Sequence, residues 1–168
     1  MSSPLFLEWS QKAALNSAQL VAEARVLFDA KHTARAYYLA HMSTEESSKS
    51  ILLHSMHKLG TPISELHKLD ILLRDHKKKI EFIILYASTE SITFKSELNT
   101  LKTELITHVN SLKNDSMYVS CKDGKVISPD EKIAGIDVAV HLRAAESLVW
   151  VANSLLTHHS GETPSGVP

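Results

Sequence analysis

Glutamate, lysine, arginine and histidine recur at helical spacing where oily side chains belong. One stretch reads Arg35, Tyr38, Met42, Glu45, Lys49, Leu52, Met56, Leu59. Its steps alternate three and four residues, the spacing of one inward helix stripe. A second reads Leu66, Leu69, Leu73, His76, Ile80, Ile83, Ala87, with a histidine mid-stripe. Burying a charge costs several kcal/mol unless it is paired, so such residues predict a polar cluster inside a helical bundle. Histidine suits proton transfer near neutral pH, and arginine or lysine suits a phosphate charge.

Glu45 precedes Lys49 by one turn and can pair with it. The plainer reading of that pair is a surface salt bridge. Glu46 lies one residue off the stripe and is expected in solvent. His41 is one turn from both Tyr38 and Glu45 and flanks the stripe. His76 and Lys79 are one turn apart, inside the basic run RDHKKK with Arg74, Lys77 and Lys78. Arg35 and His41 sit about 120° apart on a regular helix and do not share a face. Arginine's reach, or a second subunit, could still join them. Two helices joined by a short turn run antiparallel, which would set His76 opposite Lys49 and Glu45.

The elements that must position these residues are long helices. The chain has 168 residues with only 5 glycines and 5 prolines. Ser2 or Ser3 can cap a first helix with Pro4 at its first position, running to about Ala30. A second runs from about His32 to Leu59, with Gly60 as a left-handed terminator and Pro62 beyond. A third starts near Ser64 and runs to about Ala87. Lys95 to Lys113 is a fourth. Met117 to Ile127 then reads as short β-type runs flanking Asp123-Gly124, a hairpin signal. Ser128, Pro129 and Glu131 form a capping box that opens a last helix to about His158. Its apolar positions cover most of its circumference, so it is central or shared with a partner. The expected architecture is all-α, an antiparallel bundle of about five helices with a small β-hairpin-like insertion before the last. Residues 1–159 form one domain and 160–168 a disordered tail.

The formal net charge is −1, which argues against a strongly basic nucleic-acid footprint. The single cysteine, Cys121, allows no intrachain disulfide. No stretch is apolar and long enough to span a membrane, and the N-terminus lacks a signal-peptide pattern. A cytoplasmic protein is expected. His54, His57 and His67 are spaced as zinc ligands can be, but no cysteine or carboxylate quartet accompanies them. Neither a metal nor another cofactor is expected, and no nucleotide-loop or hydrolase motif occurs.

RAYYLAHMSTEESSKSILL, from Arg35 to Leu53, resembles a segment of the AbiV abortive-infection proteins, which belong to the HEPN superfamily of helical ribonucleases and toxins. RDHKKKI resembles that family's later element, matching His76 and Lys79. KNDSMYVSCKDGKVISPDEKI resembles a third, matching Met117, Tyr118, Val119, Gly124, Pro129 and Glu131. The resemblance implies a HEPN-type bundle, usually dimeric, acting in phage defence. HEPN ribonucleases carry an arginine, four to six residues, then a histidine, and Arg35 to His41 has that spacing. The superfamily motif commonly lies on a late helix, here on the second. Glu45, Lys49, His76 and Lys79 are the better-matched family positions.

The first reading is therefore a metal-independent endoribonuclease or toxin that shuts down translation. His76 or His41 would do acid/base work, Arg35, Arg74, Lys77 or Lys79 would hold phosphate, and Glu45 would orient a base or hold Lys49. Its expected partners are a second copy of the chain, ribosomal or transfer RNA as substrate, and a phage-encoded activator. The second reading is a non-catalytic helical module that binds a phage protein or translation component, its stripe polars fixing helix register.

Overall fold

The computed structural model describes residues 4–65, 67, 71, 73–75, 78, 81 and 112–160, the last three by backbone alone. Helix α1 spans Pro4–Asp29 and α2 spans Thr33–Lys58. Pro4 opens α1, where a missing N–H costs nothing. The buried positions of α1 are Phe6, Ser10, Ala13, Ala14, Ser17, Val21 and Ala24, a stripe with helical spacing.

Small polar residues hold α1 against α2. Ser10 Oγ donates to the Ser50 carbonyl at 2.8 Å, and Ser50 Oγ donates to the Ser10 carbonyl at 2.9 Å. One stretch along, Ser43 Oγ donates to the Ser17 carbonyl at 2.8 Å. As the α1 number rises from 10 to 17, its partner falls from 50 to 43, so the helices are antiparallel. Each hydroxyl satisfies itself on the opposite backbone, which allows close approach without an orphaned polar group.

Both helices end in the same way. The amides of Gly60 and Thr61 reach back to the His57 and Met56 carbonyls, with Gly60 at φ +68°. Lys31 plays the glycine's part after α1, at φ +65°, with His32 N–H donating to the Leu27 carbonyl at 2.8 Å. This left-handed closure frees the chain to turn sharply into α2. A short 3-10 turn, Ile63–Glu65, follows α2. Most of the expected third and fourth helices falls outside the described residues, of which 67, 71, 73, 74, 78, 81 and 112–115 are helical.

Strands β1, Ser120–Lys122, and β2, Lys125–Ile127, pair antiparallel with Cys121 opposite Val126. Asp123 and Gly124 have φ of +52° and +74°, the two positive values a tight hairpin turn requires. Ser128 then caps α3, Pro129–Lys132, in a complete capping box with Glu131. The hydrogen bonds from Ser128's backbone and hydroxyl hold the Glu131 carboxyl below its ordinary value.

The single long last helix expected from sequence is in fact two. After α3 the chain breaks and restarts as α4, Val138–Ser160. The break lets Ile133 turn inward to pack with Ala34, Ala36, Tyr37 and Val138. Asp137 Oδ1 accepts from the Val140 amide at 3.2 Å and caps the new helix. Helix α4 packs chiefly on α2 and also on α1. Val21, Ala24, Ala40, Leu142, Ala145 and Val149 form the cluster where the three meet. Arg25 of α1 and Glu146 of α4 close its edge with a 2.6 Å ion pair. Hence the architecture is an all-α bundle with a two-stranded antiparallel hairpin before the last helix.

Candidate active site

Helix α2 is enclosed on several sides, so its polar residues are carried indoors. His41 and Glu45 are one turn apart on it, and their side chains are 1% and 3% exposed. His41 Nε2 lies 3.1 Å from Glu45 Oε1. A carboxylate can only accept, so the Nε2–H donates. Lys113 Nζ, from the stretch preceding the hairpin, lies 3.3 Å from the same Oε1. A buried carboxylate without a cation is costly, and Lys113 supplies the compensating charge. Tyr37 stacks on His41 with ring centroids 6.3 Å apart and meets His141 of α4 edge-on at 4.9 Å. The imidazole is thus held by a carboxylate on one side and an aromatic ring along the helix. Its Nδ1 and the Ser47 hydroxyl have no hydrogen-bond partner among the described residues. Chemically this is a histidine oriented by an acid, the arrangement of a general acid/base kept from bulk water.

The stripe expected on α2 forms only in part. Glu45 and Leu52 are buried as expected, but Arg35 and Leu59 are exposed, while Tyr37, His41, Thr44 and Ser48, off the expected stripe, are buried. The expected Glu45–Lys49 pair is not the one formed: Lys49 pairs with Glu46. Lys49 and Glu45 point to different neighbours because Glu45 is drawn inward toward His41 and Lys113. Glu46, expected in solvent, is half-buried by that contact, its side chain 15% exposed. His41, expected beside the stripe, lies inside it. Arg74 is exposed, and His76, Lys77 and Lys79 lie outside the described residues. The juxtaposition of His76 with Glu45 and Lys49 therefore falls outside them too.

Arg35 opens onto a cleft of about 500 Å³ between the start of α2, residues 116–119 and α3. Asp130 Oδ1 accepts from the Ala34 amide at 3.0 Å and so caps α2 from across the cleft. Lys132 Nζ bonds Asp115 Oδ1 and the Tyr118 carbonyl, both at 3.0 Å, and fixes the far wall.

Of the zinc-spaced histidines, His54 is buried, His57 half-buried and His67 exposed. Among the described residues no cluster of histidine, cysteine, aspartate and glutamate could hold a metal ion. Among them, too, no helix is long and apolar enough to cross a membrane. Cys121 is exposed on β1. Sequence reasoning missed Lys113, Tyr37, His141 and Asp130. Only Tyr37 carried a local signal, its one-turn spacing to His41.

A family model described as AbiV, of the HEPN group, matches residues 5–150. No curated protein and no solved structure matches the chain.

Proposed function

Because the chain belongs to the HEPN AbiV family, we propose that it is a phage-defence protein of the abortive-infection type that acts on RNA as a metal-independent endoribonuclease. The family match across most of the chain carries this reading. Arg35 and His41, separated by five residues on one helix, support it. In such a reaction a base removes the 2′-OH proton, the oxygen attacks phosphorus, and an acid protonates the departing 5′-oxygen. The products are a 2′,3′-cyclic phosphate and a 5′-hydroxyl, with no water consumed. His41 is the proton-transfer group and Glu45 its orienting acid. Arg35 holds a substrate phosphate, Arg74, Lys77 and Lys79 are further phosphate candidates, and His76 is the second proton-transfer candidate.

His41 is enclosed, so cleavage there draws on a minor, opened state. A phage-encoded activator that binds the opened state better would raise its population. A second copy of the chain is the proposed dimer partner, ribosomal or transfer RNA the substrate, and the cytoplasm the compartment. The enclosure of His41 and Glu45 favours one rival: a non-catalytic module that docks a phage protein or translation component, with the buried polars fixing helix register.

Phage challenge of cells carrying the wild-type chain, His41→Ala or Arg35→Ala separates the two. The ribonuclease reading expects new 5′-hydroxyl RNA ends in wild-type cells only. Protection without new ends, shared by the His41→Ala variant, supports the docking module.

A further inference from the structure

His41 and Glu45 are enclosed, whereas the cleft beside Arg35 is open and built from unlike walls. His32 precedes α2 as its N-cap residue, yet its side chain makes no cap hydrogen bond. Asp130 does the capping instead, from across the cleft. The imidazole of His32 is thereby left to the cleft, and Arg35, one turn on, lines it from the same side. Both side chains are exposed. Opposite them stand Met117, Val119 and Pro129, with Val119 63% exposed. One wall is cationic, the other apolar, and Asp130 stands between them with one oxygen engaged by a backbone amide.

These are the complementary halves of a nucleotide: a phosphate for His32 and Arg35, and a base face for Met117, Val119 and Pro129. A free anion fits less well, because the Asp130 carboxylate repels it. A base bearing amino or imino N–H groups instead offers donors to the second Asp130 oxygen. Tyr118, 65% exposed beside the cleft, offers the next stacking surface, and Lys122 and Lys125 of the hairpin are exposed beyond it. The volume, about 500 Å³, suits one nucleotide rather than a folded helix. We propose that this cleft, formed by His32, Arg35, Met117, Val119, Pro129 and Asp130, is a subsite for one nucleotide of single-stranded RNA. It rests on the reading that the chain acts on RNA, and places strand capture apart from the enclosed His41.

The test uses the full chain and a fluorescein-labelled single-stranded 2′-O-methyl RNA, which cannot be cleaved because it lacks the attacking hydroxyl. Binding is read by fluorescence anisotropy in EDTA. Wild type should bind, and His32→Ala, Arg35→Gln and Val119→Asp should each weaken binding by about tenfold. Arg35→Gln should also lower the slope of log affinity against log salt by about 0.7, the value of one single-strand phosphate contact. These side chains are exposed, so folded content by circular dichroism should stay unchanged. Wild-type binding that all three variants match within twofold overturns the subsite and leaves the RNA reading standing. No binding by wild type at any concentration overturns both.

Discussion

Lys113 Nζ lies 3.3 Å from Glu45 Oε1, across 68 residues of chain, and the same oxygen faces His41 Nε2 at 3.1 Å. Glu45 is therefore the point at which α2 is tied to the stretch before the hairpin. Its side chain is 3% exposed, against 16% for Lys113, so the carboxylate bears the greater desolvation.

Removing the lysine should take a compensating cation from that buried carboxylate. Lys113→Met is expected to cost about 3 kcal/mol in urea denaturation. Adding Glu45→Gln should recover at least half of the loss, because an amide needs no counter-charge. Additive losses in the double variant would show that the contact is not formed in solution.

The serine contacts between α1 and α2 make a separate prediction. Ser50→Ala removes one of the reciprocal hydrogen bonds with Ser10 and should cost about 1 kcal/mol. Ser50→Leu forces the helices apart and should cost about 2 to 3 kcal/mol. Equal chemical-denaturation midpoints for the two variants would mean that the helices are not in close approach there.

Lys31 and Gly60 occupy equivalent left-handed positions, at φ of +65° and +68°. Lys31→Gly should therefore stabilise the protein by about 0.5 to 1 kcal/mol, and Gly60→Ala should destabilise it by about 1 kcal/mol. A Cβ at Gly60 would meet nothing within 4 Å, so the loss is one of backbone conformation alone. Thermal unfolding reads both signs, and matching signs would contradict this geometry.

Glu131 predicts an acid-sensitive start to α3. Its carboxyl is held below the ordinary glutamate range by Ser128's hydrogen bonds. A group with a depressed folded pKa stabilises above its unfolded pKa, and that contribution fades as pH falls through the folded one. Amide exchange at Glu131 and Lys132 should therefore speed up in wild type as pH falls below the ordinary glutamate range. In Glu131→Gln the same amides should exchange faster at pH 7 and lose this acid step. An unchanged step in the variant would assign the transition elsewhere.

Local signals in the chain told their own story well. Ser128, Pro129 and Glu131 form a capping box within four residues, and Asp123-Gly124 suit only a turn with positive φ. Both appear where expected because they depend on neighbours in sequence. The hinge between α3 and α4 was less legible: Asp137 is an ordinary cap residue, hidden among Ile133, Ile136 and Val138, which also suit a continuous helix. The extent of the α2 stripe was harder still. That helix is covered from several sides, so a single-face pattern from Arg35 to Leu59 kept Glu45 and Leu52 but left out the buried Tyr37, His41, Thr44 and Ser48. Tertiary contacts such as Glu45 with Lys113 leave no mark in spacing, since nothing local tells which distant lysine will compensate a buried acid.

If His41 acts on RNA, cleavage must depend on its imidazole. Purified protein incubated with total RNA in EDTA, followed by quantification of 5′-hydroxyl ends, tests it most directly. Wild type should generate defined ends, and His41→Ala, checked for an unchanged unfolding midpoint, should lose them by about 100-fold or more. The same ends at the same rate from both proteins, or none from wild type, would contradict it.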